Sequence, residues 1–126
     1  MGKVHKNIDS QKNLVVYTVV GKITAKDIME SIQEFYGSQV TRKVLWDLSK
    51  GDASDLTSSE VRSIAQTPRK GSNMREDGKT AIVAPDDVTF GLSRMYGILT
   101  EGQGRPFQTR SFRSIEEAYH WLLEKD

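Results

Sequence analysis

The chain has 126 residues, 28% charged and 37% hydrophobic, with a net charge of +1. That length buries a core without staples, and the near-zero charge leaves no strong field to favour nucleic acid, a membrane surface or an acidic substrate. Cysteine is absent, which removes disulfide frameworks, thiolate zinc sites and cysteine nucleophiles and suits a reducing cytoplasm.

The opening MGKVHKNIDSQKN has no apolar signal core, and Lys6 stands where a myristoylation signal wants Ser or Thr. No apolar run approaches the length of a membrane span. The expectation is one domain over 1–126, cytoplasmic and not inserted in a membrane. Val4 to Asp9 then reads as an edge strand, polar enough to face water on one side. Leu14 to Val20 is β-branched and aromatic almost throughout, the composition of a central strand covered on both faces, and Gly21 ends it. The short link between the two predicts an antiparallel hairpin.

Thr24 with Asp27 marks a helix start, Ile28, Ile32, Phe35 and Tyr36 follow at helical spacing, and Gly37 closes the helix. Val44-Leu45-Trp46 begins a buried strand, followed by a polar loop from Ser49 to Leu56. Thr57-Ser58-Ser59-Glu60 is a capping box, and Val61, Ile64 and Ala65 share one face of the helix it opens, which Pro68 ends. Arg69 to Gly78 is polar and glycine-flanked and reads as the most mobile stretch.

Thr80 to Ala84 is another buried strand, broken by Pro85. Asp86 or Asp87 caps a helix whose Val88, Leu92, Met95 and Leu99 form a stripe expected to face the core. Pro106 to Phe112 alternates like an outer strand. Ser114-Ile115-Glu116-Glu117 is a second capping box, with Ile115, Ala118, Tyr119 and Leu122 lining the last helix. The order β-β-α-β-α-β-α-β-α predicts an α/β fold: a mixed, mostly parallel five-stranded sheet with four helices and one antiparallel edge strand.

Such sheets place ligands at the carboxyl ends of their strands. Asp47 ends a central strand, and Asp55, Asp86 and Asp87 are expected on the same rim. Nothing in their spacing selects a metal, so capping and loop bonding is their expected work. Thr57 and Ser58, at a helix start with free amides, suit a phosphate, although Thr57 also serves as a plain N-cap. Arg94 shares a helix face with Phe90 and Gly97 and is suited to a carboxylate, a phosphate or a partner, or to a surface pair with Glu101. Trp46 is core by type, and beside Asp47 it can also border a rim pocket. His5 and His120 lie at opposite ends of the chain, and no nucleophile elbow or P-loop is present. No catalytic set and no cofactor motif emerges.

In element order, and at Val44-Leu45-Trp46-Asp47-Leu48-Ser49, Ala81-Ile82-Val83-Ala84-Pro85, Phe90-Gly91-Leu92-Ser93-Arg94-Met95-Tyr96, and Phe112 with Glu116 to Leu122, the chain resembles the STAS domain, nearest its SpoIIAA-like branch. That resemblance implies a non-enzymatic regulator that binds a protein partner. It further implies an Asp-Ser-Ser-Gly motif whose second Ser accepts a phosphate. Counted from Asp47, those four positions fall on Asp55, Leu56, Thr57 and Ser58, so the acid and a hydroxyl are kept while the first Ser and the Gly are not. The expected partner surface is Ser49–Leu56, the Thr57 helix start and the Phe90–Arg94 face. An alternative from the related CRAL-TRIO domains is small-molecule or lipid binding, with an apolar or small anionic ligand in a pocket beneath the Phe90–Leu99 helix, lined by Phe90, Met95 and Tyr96. Exposed edge strands also allow a homodimer.

Overall fold

A computed structural model describes residues 2–38, 40–67 and 72–124, the side chains of 72 and 73 apart. Its elements run β1 (Lys3–Asp9), β2 (Leu14–Lys22), α1 (Ala25–Gly37), β3 (Lys43–Asp52), α2 (Ser58–Ala65), a 3₁₀ turn (Ser72–Arg75), β4 (Gly78–Val83), α3 (Asp87–Glu101), β5 (Phe107–Phe112) and α4 (Ile115–Leu122). The sheet order is β1-β2-β3-β4-β5, with β1 antiparallel to β2 and the remaining pairs parallel. This is the expected mixed α/β architecture, with the hairpin at one edge.

Alternation along the strands divides the core into two layers. Leu14, Leu45, Ala81 and Val83 face α4 and pack on Ala118, Trp121 and Leu122. Val15, Tyr17 and Val44 face the other way, toward Phe35 of α1. On that second side, Val19, Leu48 and Ile82 pack near Ile28 and Tyr96, and Ile32 meets Ile64. Three helices thus cover one side of the sheet and α4 alone covers the other. Because α4 is short, Val20 of β2 remains exposed, so β2 is not covered on both faces throughout.

Two starts follow the capping rules in full. Thr24 and Asp27, and Thr57 and Glu60, make reciprocal side-chain to backbone bonds. At α4 the Ser114 hydroxyl accepts the Glu117 amide but donates to the Glu117 carboxylate, so the reciprocal bond joins side chains.

The third helix reverses the expectation. Thr89, Ser93, Gly97 and Thr100 are its buried residues, while Val88 is 55% and Ile98 66% exposed. Two contacts with β5 explain the choice. The Ser93 hydroxyl bonds Ser111 Oγ at 2.7 Å, and a Cβ on Gly97 would stand 3.5 Å from Thr109. Small residues let the helix settle close to an edge strand, and the apolar stripe rotates to its flank.

The Arg69–Gly78 stretch is also unlike its composition. Residues 68–71 lie outside the described residues, but Arg75 is 2% exposed. Its guanidinium donates to the carbonyls of Thr41, Arg42 and Lys79 and to the Thr80 hydroxyl, and it lies 4.0 Å from the Phe107 ring centroid. Far from being a loose tip, this residue ties the segment before β3 to the start of β4.

Tyr17, stacked on Trp46 at 4.6 Å, carries a buried hydroxyl with no hydrogen-bond partner among the described residues. Burial, followed by the charge on Glu34, pushes that phenol well above its ordinary value of 10.0. The neutral form is therefore favoured on folding: its contribution is complete below pH 10 and fades as pH rises toward the folded value. Tyr17→Phe is expected to stabilise the protein by about 1 kcal/mol at pH 7 and to flatten the loss of stability above pH 10. Urea titrations of both proteins at pH 7 and 10.5 check this; a destabilised phenylalanine variant contradicts it.

Candidate functional site

The expected rim divides into three places. The first is the connection from β3 to α2. The strand continues through Ser49–Asp52, where Lys50, Gly51 and Asp52 pair with Val20, Gly21 and Lys22, after an irregularity between Thr18 and Val20. A Cβ on Gly51 would come within 2.7 Å of Val19, so the pairing depends on glycine there. The supposed eight-residue loop is thereby shortened to Ala53–Thr57. The Leu56 amide closes it on the Ala53 carbonyl.

This short turn is anchored at both sides. The Ala53 amide donates to Thr89 Oγ1 at 3.3 Å, and the Asp86 carboxylate caps α3 through the Thr89 amide at 2.9 Å. Bonds from Thr89 hold the Asp86 carboxyl below its ordinary range, and bonds from Ser54 do the same for Asp52. Asp55 pairs with Lys22 at 2.8 Å across the turn, and that bond and charge raise the lysine. Thr57, Ser58 and Ser59 are exposed beyond it. Thr57 Oγ1 accepts the Glu60 amide at 3.1 Å, and the Glu60 carboxylate accepts the Thr57 amide at 2.9 Å.

Asp47 belongs elsewhere. It lies within β3 beside Thr18 and Val83, on the α4 side, and its carboxylate accepts the Ser49 amide and hydroxyl at 2.9 and 2.6 Å. With β3 extended past it, Asp47 is not a rim residue. Its charge adds to burial in raising the Tyr119 phenol on α4. Among the described residues, no three acids or histidines come together in a way that would hold a metal ion.

The second place lies beneath the helices. Trp46 and Tyr96 border an apolar cavity of about 70 Å³, walled by Leu48, Leu56, Ile82 and Leu92. Phe90 and Met95, expected to line it, do not; the rotation of α3 substitutes Thr89, Leu92 and Ser93. A smaller cavity of about 20 Å³ lies on the other side of Trp46, Ile32 and Tyr96, next to Tyr17, Tyr36 and Arg75.

Phe90 and Arg94 occupy the third place, an open groove between α3 and β5 shared with Gly97 and Glu101. Arg113 stacks over Phe90 at 4.1 Å and pairs with Asp87 at 2.6 Å. Thus Asp55 joins Thr57 and Ser58, Trp46 joins Tyr96, Phe90 joins Arg94, and Asp47 stands apart. Sequence reasoning missed Thr89, which supports the turn from a neighbouring helix. The run Thr89, Ser93, Gly97, Thr100 at helical spacing was the available signal.

No family model and no curated protein matches the sequence. Solved structures do match its fold. One is an uncharacterized protein of the DUF3478 family with a SpoIIAA-like fold from Shewanella loihica PV-4, 16% identical over 96% of this chain and 93% of that one, with a TM-score of 0.56. Another is an anti-sigma factor antagonist from Mycobacterium paratuberculosis, 15% identical over 98% of this chain and 96% of that one, with a TM-score of 0.50. The chain has the SpoIIAA-like fold.

Proposed function

We propose that this chain, carrying a SpoIIAA-like fold, is a non-enzymatic regulatory module that binds a protein partner through the Ala53–Leu56 turn and the Thr57 start of α2. One observation carries the reading. Thr57 and Ser58 are exposed at a helix N-terminus, and the turn before them is held by bonds to Lys22 at the end of β2 and to Thr89 of α3. A rigid, exposed turn presents its groups with little ordering cost on binding. The fold shared with an anti-sigma factor antagonist supports a protein as the partner. A phosphate on Thr57 would place negative charge at the α2 amides, where the dipole favours it, and would alter the same surface.

The test is quantitative capture with the wild-type chain and its Thr57→Glu and Thr57→Ser variants in parallel. One protein is expected to be retained by wild type and Thr57→Ser and reduced about tenfold or more by Thr57→Glu. Equal retention by all three contradicts the role of Thr57.

A second reading has one observation in its favour, the apolar cavity bordered by Trp46, Leu92 and Tyr96. At about 70 Å³ it is far smaller than the ~300 Å³ or more of ordinary ligand pockets. A small apolar molecule, rather than a lipid, is what that space takes.

A further inference from the structure

The sheet ends at β5. The Ala84 amide donates to the Phe112 carbonyl at 2.9 Å, so Arg110 and Phe112 turn their backbone groups toward β4. By the alternation of a parallel ladder, Thr109 and Ser111 turn theirs to the open edge. A groove runs along each side of that edge. On the α3 side, a space of about 380 Å³ is lined by Phe90, Arg94, Ile98 and Thr109. On the α4 side, a space of about 500 Å³ is lined by Phe112, Trp121, Glu116, Glu117 and Glu124.

The two grooves differ in chemistry. Ile98 gives the α3 groove an exposed apolar wall beside the opposite charges of Arg94 and Glu101. Three glutamates face the α4 groove, while Arg110, the cation there, is drawn over the Trp121 ring at 5.4 Å. A strand added at an edge sends alternate side chains to opposite faces, so flanking grooves of unlike character select an alternating sequence.

We propose that β5 accepts an extended segment of a partner protein as a further strand, with apolar side chains toward Phe90 and Ile98 and basic ones toward Glu116, Glu117 and Glu124. This surface is separate from the Thr57 turn, so each stands or falls alone.

The probe is a capped octapeptide alternating lysine with valine, compared with one alternating glutamate with valine. On the full chain, the lysine peptide is expected to slow amide exchange at Thr109 and Ser111 about tenfold while leaving β1 unchanged. Glu116→Lys on α4 with Glu124→Lys just past its end, both exposed, is expected to weaken the lysine peptide about tenfold and favour the glutamate one. Ser111→Pro, which removes an outward donor, should abolish binding; because that variant risks misfolding, the charge reversal carries the test on its own. Equal binding of the two peptides, protection at β1 instead of β5, or pairing of two copies of this chain through β5 overturns the proposal.

Discussion

Arg75→Met is expected to cost about 3–5 kcal/mol of folding stability. The methionine fills most of the volume and removes the charge, yet it takes a donor from the carbonyls of Thr41, Arg42 and Lys79 and from the Thr80 hydroxyl, of which the Arg42 carbonyl keeps the Lys79 amide at 3.0 Å. Each buried acceptor so stranded costs about 1–3 kcal/mol, offset in part by the guanidinium's own desolvation. Arg75→Lys should recover little, because an ammonium cannot span partners arranged around a planar fork. Urea denaturation gives the comparison directly. A loss below about 1 kcal/mol for methionine would show that water replaces these bonds and that the segment before β4 is loosely held.

Trp46→Ala is expected to cost about 3–5 kcal/mol as well, with a consequence that bears on ligand binding. The indole stacks on Tyr17 and walls both interior cavities, of about 70 and 20 Å³. Its removal joins them and adds its own volume, leaving an apolar chamber with Tyr17 and Arg75 at one end. Dry apolar chambers of about 150 Å³ accept benzene-sized molecules. Added indole should therefore raise the variant's melting temperature and leave wild type unmoved. If indole stabilises neither protein, the walls have collapsed around the missing ring. If it stabilises wild type equally, the native cavity already opens to ligands and the apolar-ligand reading gains ground.

The fold was legible because its signals are local and redundant. Thr24 with Asp27 and Thr57 with Glu60 announce helix starts, and the runs at Leu14, Val44 and Ala81 announce buried strands. What escaped notice depends on partners distant in sequence. Whether Ser49 to Asp52 is loop or strand turns on pairing with Val20 to Lys22, invisible from polar composition alone. The orientation of α3 was misjudged because Val88, Leu92, Met95 and Leu99 make the stronger apolar stripe, while the close approach of β5 selects Ser93 and Gly97. Arg75 looked like a loop residue until the carbonyls of Thr41 and Arg42 came round it. Asp47 looked like a strand end, whereas extension of β3 makes it a mid-strand residue tied to Ser49.

At the site, the residues adjacent in sequence stayed together and those united only by the assumption of one rim did not. Asp55, Thr57 and Ser58 remain a single exposed surface. Trp46 with Tyr96, and Phe90 with Arg94, turn out to serve an interior cavity and a distant groove.

The most direct measurement is a backbone-amide shift map of the labelled chain titrated with the partner retained in the Thr57 comparison. Partner docking at the α2 opening predicts the largest shifts at Ala53–Leu56 and Ser58–Glu60, with α4 silent. Shifts centred on α4 or on the exposed Val20 side of the sheet, with the Thr57 turn unmoved, would contradict it.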